Sequence, residues 1–141
     1  SLRGADLTLA YPKGYELDDE YRAFANEAYK KTGGKLTITN DIYEAATDAD
    51  VIYAKSWGST HGMDKAEDKE YRKQFAKDWC ISDEHFKLAK PVSYYMHPLP
   101  AARGEEVTDA VIDGEHSIVY DQAENRQHAQ KAVLALLMKK K

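Results

Sequence analysis

Short apolar runs alternate along this chain with stretches in which apolar positions recur every three or four residues. Residues 6–11 (DLTLAY) predict a first strand, ended by Pro12-Lys13-Gly14. Tyr21, Phe24, Ala25 and Ala28 share one helical face, so a helix is expected from a cap at Asp18 or Asp19 to about Lys31, stopped by Gly33-Gly34. Residues 35–39 (KLTIT) predict a second strand, and Asn40 or Asp41 caps a brief helix through Ala46. Residues 50–55 (DVIYAK) predict a third strand, buried on both faces. The polar stretch 56–78 is expected to be helical in part, over residues 65–77. A helix from Ser82 to Ala89 is closed by Pro91, and residues 92–96 form a fourth strand. Residues 107–112 predict a short helix ending at Gly114, and 117–120 a fifth strand. The last element is an amphipathic helix over 125–140, with Ala129, Ala132, Val133, Leu136 and Leu137 facing inward.

That alternation predicts an α/β fold, a three-layer αβα Rossmann-like domain on a mostly parallel sheet. At 141 residues the chain fits one domain, and no repeat or linker divides residues 1–141. The first five residues read like a helix end feeding the first strand. The chain is therefore expected to begin inside a larger α/β domain, with a preceding strand missing.

Candidate chemistry gathers at the predicted strand ends. Tyr94-Tyr95-Met96 runs into His97-Pro98-Leu99-Pro100, and two prolines so close together stop the strand. The segment is expected to stay extended, with the carbonyls near Pro98 and Leu99 free to accept hydrogen bonds from an amine or amide. His97 itself is either a structural hydrogen bonder or a binding residue. Lys55-Ser56-Trp57-Gly58-Ser59 ends the third strand, offering a cation and two hydroxyls beside a glycine, or simply a turn around a half-buried tryptophan. Gln122, Glu124, Asn125 and Arg126 follow the fifth strand. An arginine where a helix starts opposes the macrodipole, which points to anion or carbonyl recognition, or else to an interdomain salt bridge. Ligands of open α/β folds bind at such strand ends. Arg103-Gly104-Glu105-Glu106 reads equally as a salt-bridged loop or a site rim.

Composition narrows the classes. A net charge of −4 argues against a general nucleic-acid binder, and no apolar run approaches the length of a membrane span. One cysteine, Cys80, rules out an intrachain disulfide framework and suits a reducing cytoplasm. The other histidines show no metal spacing, and no glycine-rich phosphate loop is present, so neither metal nor cofactor is expected.

His97-Pro98-Leu99-Pro100, the run from Arg103 to Asp109 with Val111-Ile112-Asp113-Gly114, and the run from Asp121 to Ala132 together resemble the second, amino-acid-binding domain of the aspartate/ornithine carbamoyltransferase superfamily. The resemblance covers nearly the whole chain. It implies carbamoyl transfer from carbamoyl phosphate to the amine of an amino acid, by positioning and charge stabilisation, with no covalent intermediate, cofactor or metal. It implies that the backbone at Pro98 and Leu99 receives the carbamoyl amide and the attacking amine. His97 and Arg126 would lie at the carbamoyl phosphate end, with Arg126 polarising the carbonyl. Lys55, Ser56, Trp57 and Ser59 would meet the amino-acid substrate, and Gln122 and Asn125 would line the site. Lys55 stands where ornithine enzymes usually carry Asp, and Pro98 where they carry Cys. Lys55-Ser56-Trp57 looks more like the branch acting on N-acylated ornithine or on unassigned substrates. The family's phosphate-binding motif belongs to the first domain and is not in this chain. The isolated chain is thus expected to be inactive, and the complete enzyme to be a homotrimer. The competing expectation is a binding-only module with the same fold.

Overall fold

The computed structural model describes residues 4–56 and 64–139. Within them the order is β1 (Leu7–Ala10), α1 (Asp19–Thr32), β2 (Leu36–Thr39), α2 (Ile42–Ala46), β3 (Val51–Tyr53), α3 (Lys65–Arg72), α4 (Asp83–Phe86), β4 (Tyr94–Met96), α5 (Asp109–Ile112) and α6 (Val119–Met138). The strands pair in parallel, β1 with β2 and β3 with β4, each pair linked through helices. This is the expected α/β class.

Local chemistry explains most boundaries. The Asp41 side chain accepts the N–H groups of Tyr43 and Glu44 and so starts α2. Asp64 and Glu67 form a capping box on α3. Gly33 closes α1 at φ 79°, returning its N–H to the Tyr29 carbonyl.

The core joins Ile52 of β3 and Tyr95 of β4 to Ala46, Ile81, Phe86 and Val107, with Val111, Ile112 and Val119 beneath. Tyr95 and Val107 are fully enclosed. Only alternate residues of β3 point into this core. Ile52 is buried while Val51 and Tyr53 are about half exposed, so the strand is not buried on both faces.

Two further expectations are overturned. Residues 117–120 do not form a strand. Ser117 makes one parallel bridge to Tyr95, through Tyr95 N–H to the His116 carbonyl and Ile118 N–H to the Tyr95 carbonyl, and the chain then enters α6. The β-branched and aromatic run Ile118-Val119-Tyr120 reads as a strand by propensity. Burial of Val119 against the core and the helix-forming residues that follow draw it into the helix instead. The apolar positions of α6 are also not inward. Val133, Leu136 and Leu137 are 55%, 73% and 78% exposed, because α6 runs on past the core.

One buried group sets a pH response. His85 is enclosed in α4, with its ring stacked on Tyr43 at 4.6 Å and its Nδ1 accepting the Ser82 N–H at 3.1 Å. Burial lowers its proton affinity below the ordinary value of 6.5. As pH falls below 6.5 the unfolded chain takes up a proton that the folded chain resists, so stability present above 6.5 is lost towards acid. His85→Phe keeps a ring against Tyr43 and removes that dependence. Thermal unfolding across the histidine range is expected to show a shallower pH slope for the variant; equal slopes would assign the response elsewhere.

Candidate active site

Parallel pairing decides which predicted clusters meet. The register Val51↔Tyr94, Ile52↔Tyr95, Tyr53↔Met96 brings both strands to an end together. Ala54 N–H donates to the Met96 carbonyl at 3.1 Å, extending the match by one residue. Lys55 and Ser56 therefore leave β3 exposed, beside the start of the His97-Pro98-Leu99-Pro100 loop. Trp57 and Ser59 lie outside the described residues.

The loop is not extended as expected. Leu99 has φ 51°, in the left-handed region, and the Leu99–Pro100 peptide is cis. A left-handed leucine costs roughly 1–2 kcal/mol, so surrounding contacts must hold it. His97 supplies them. Its ring is 1% exposed, and its Nδ1 accepts the Leu99 N–H at 2.9 Å. The His97 N–H donates to Gln122 Oε1 at 3.0 Å, and Gln122 Nε2 donates to the Tyr53 hydroxyl at 3.0 Å. Gln122 thereby ties β3, the loop and α6 together.

On the other side of the ring, His97 Nε2 lies 3.0 Å from Glu106 Oε2. The approach is off the N–H axis, so it is a close electrostatic contact rather than an aligned hydrogen bond. The same carboxylate oxygen accepts the Ala102 N–H at 3.0 Å. Glu106 is 5% exposed, whereas Arg103 turns outward to pair with Asp109 at 2.7 Å and Asp113 at 2.5 Å. The Arg103–Glu106 segment is thus a salt-bridged loop at one end and a buried prop at the other.

Gln122, Asn125 and Arg126 sit on α6 itself, not in a turn before it. Arg126 lies about two turns inside the helix, where the N-terminal dipole no longer acts, so the dipole cost that singled it out does not arise. Its position relative to Gln122 matters more. Residues four apart share a helix face, so Arg126 stands one turn beyond the residue that grips His97. Arg126 and Asn125 are both exposed.

One contributor was not singled out from the sequence, and a second only as part of a loop. Tyr53 reads as a core strand residue but turns outward to meet Gln122. Glu106 reads only as part of the Arg103–Glu106 loop, and its adjacency to Val107 is the one local hint of its burial. Beside it, burial and then the Glu106 charge push the Tyr95 phenol well above its usual range. Among the described residues, no group of His, Cys, Asp and Glu is arranged to hold a metal ion.

A family profile described as aspartate/ornithine carbamoyltransferase, Asp/Orn binding domain, matches residues 1–137. The chain belongs to that family. The anabolic ornithine carbamoyltransferase of Pyrococcus furiosus is 46% identical over 135 residues, covering 96% of this chain and 42% of that protein. The ornithine carbamoyltransferase of Halalkalibacterium halodurans is 47% identical over 135 residues, covering 96% and 41%. Among solved structures, the Pyrococcus furiosus ornithine carbamoyltransferase superposes with TM-score 0.84 at 48% identity, over 94% of this chain and 42% of that one. An acetylornithine transcarbamylase complexed with acetylcitrulline gives TM-score 0.88 at 37% identity, over 99% and 42%. The chain spans about two-fifths of the length of these carbamoyltransferases. Of these two solved relatives, the ornithine enzyme has more residues identical to this chain. No helix among the described residues is long and apolar enough to cross a membrane.

Proposed function

We propose that this chain is the amine-binding part of a carbamoyltransferase that moves the carbamoyl group from carbamoyl phosphate to ornithine or an ornithine derivative. The products are a citrulline-type ureido compound and phosphate, as arginine metabolism in the cytoplasm would use. The observation that carries this reading is the loop at the end of β4, where buried His97 and Gln122 hold Leu99 left-handed beside the end of β3. The carbonyls of Pro98 and Leu99 receive the carbamoyl amide and the incoming amine. The amine attacks the carbonyl carbon, and phosphate leaves from the tetrahedral intermediate. Arg126 polarises the carbonyl oxygen, and Asn125 lines the same helix face's edge. Lys55, Ser56, Trp57 and Ser59 meet the remainder of the amino acid. His97 and Gln122 act by shaping the loop, since their polar groups are engaged within the chain. The chemistry is positioning and charge stabilisation, without a metal or cofactor.

The phosphate is held by the carbamoyl-phosphate-binding domain, so the 141 residues alone are inactive; we further propose that the complete enzyme is a homotrimer. The exposed apolar length of α6 supports a further packing partner of this kind. The test joins the chain to a carbamoyl-phosphate-binding half. Ureido formation is assayed with ornithine, N-acetylornithine, N-succinylornithine, putrescine and aspartate. The expected result is turnover with ornithine or an N-acylated ornithine, and none from the chain alone. Turnover by the isolated chain would overturn the division of labour. Silence of the joined enzyme with every amine would leave a binding module without the chemistry.

A further inference from the structure

The geometry points to Glu106 as a positioning residue that, through the proton on His97 Nε2, fixes the shape of the loop from His97 to Ala102. Leu99 N–H donates to His97 Nδ1 at 2.9 Å, so Nδ1 keeps its lone pair and the ring proton belongs on Nε2. Nε2 faces Glu106 Oε2 at 3.0 Å, a separation at which two lone pairs would repel. A carboxylate there favours the Nε2–H tautomer and so keeps Nδ1 available to Leu99. The same oxygen takes the Ala102 N–H at 3.0 Å. One buried carboxylate thus holds the loop at both ends: directly at Ala102, and through the imidazole at Leu99.

Burial makes this arrangement matter. His97 is 1% and Glu106 5% exposed, so water cannot substitute for either partner. What the clamp controls is the left-handed Leu99, and with it the direction of the Pro98 and Leu99 carbonyls. That these carbonyls receive the substrates rests on the function proposed above; the clamp itself does not. It also means that His97 has no nitrogen left to exchange protons with a substrate, and serves the site only through its backbone neighbours.

The experiment uses the 141-residue chain. Nitrogen-15 NMR of histidine-labelled protein reads the tautomer, with His97→Asn removing one signal to assign it. Amide hydrogen exchange reads Leu99 and Ala102 against core amides such as Thr108. In the wild type, His97 is expected to carry its proton on Nε2. Glu106→Gln keeps an amide oxygen but removes the charge, so it is expected to raise exchange at Leu99 and Ala102 by roughly tenfold, the difference between a charged and a neutral acceptor, while core amides hold. His97→Asn offers Leu99 N–H a side-chain oxygen two residues back, as asparagine does in turns. It should retain protection at Leu99 while losing the link to Glu106. A proton on Nδ1 in the wild type, or protection at Leu99 unchanged in Glu106→Gln, would overturn the clamp. So would a further loss at Leu99 when Glu106→Gln is added to His97→Asn, where no imidazole links the two. In the enzyme joined to its other half, Glu106→Gln should lower kcat more than it raises KM. A joined wild-type enzyme without turnover would defeat the proposed function and leave the exchange and NMR readouts standing.

Discussion

Tyr95→Ala is expected to destabilise the chain by about 3–5 kcal/mol, the cost of truncating a large enclosed aromatic. Tyr95 has no exposed surface, packs edge-on to Phe86 at 6.5 Å, and carries the backbone bonds that join β4 to residues 116–118. Stabilities of such domains are about 5–15 kcal/mol, so the variant should unfold at a much lower urea concentration or fail to fold. Tyr95→Phe separates packing from polarity. The hydroxyl is buried with no hydrogen-bond partner among the described residues, and an unmet buried hydroxyl costs about 1–3 kcal/mol. The phenylalanine variant should therefore match or exceed the wild type. The alkaline limb gives an independent sign. Because folding raises the phenol's proton affinity, the unfolded chain releases that proton first once pH passes 10.0. The wild type should lose stability there, and Tyr95→Phe should lose less. A phenylalanine variant as unstable as the alanine one would mean that the hydroxyl has a partner.

Elements whose signals are local were legible in the sequence. Gly33 after α1, Asp41 before α2 and the proline-bounded β4 all hold, because caps and stops act on their own backbone. The start of α6 was not legible. Ile118-Val119-Tyr120 has strand-like residues, and the core pocket for Val119 together with the helix formers after it tips the run into a helix. The convergence of the site was half legible. Parallel crossovers predict that strand ends gather on one edge, and β3 and β4 do so. The left-handed turn at Leu99 was not, since two prolines suggest extension, and a buried Glu106 eight residues beyond Pro98 is what completes the ring that bends it. Arg126 was singled out for a helix-terminus cost that the structure removes. It stays a candidate for a different reason, the shared face with Gln122.

That shared face sets the largest effect expected on activity. In the enzyme joined to its carbamoyl-phosphate-binding half, Arg126→Ala is expected to lower kcat by about 100- to 1000-fold, as loss of one donor aimed at a developing oxyanion does. The KM for the amine should change little, because the charge that Arg126 would stabilise grows only as the tetrahedral intermediate forms. Arg126→Lys restores the charge without the planar fork of donors, so it should recover only part of the loss. Stability gives the control. Arg126 is exposed on α6, so neither substitution should shift unfolding of the isolated chain by more than about 0.5 kcal/mol. Steady-state kinetics with carbamoyl phosphate and the preferred amine, beside urea unfolding of the same variants, separates the possibilities. A large fall in kcat at constant stability places Arg126 against the reacting carbonyl. An unchanged kcat would remove it from the chemistry and leave the loop carbonyls, held by Gln122, His97 and Glu106, as the contribution of this chain to the site.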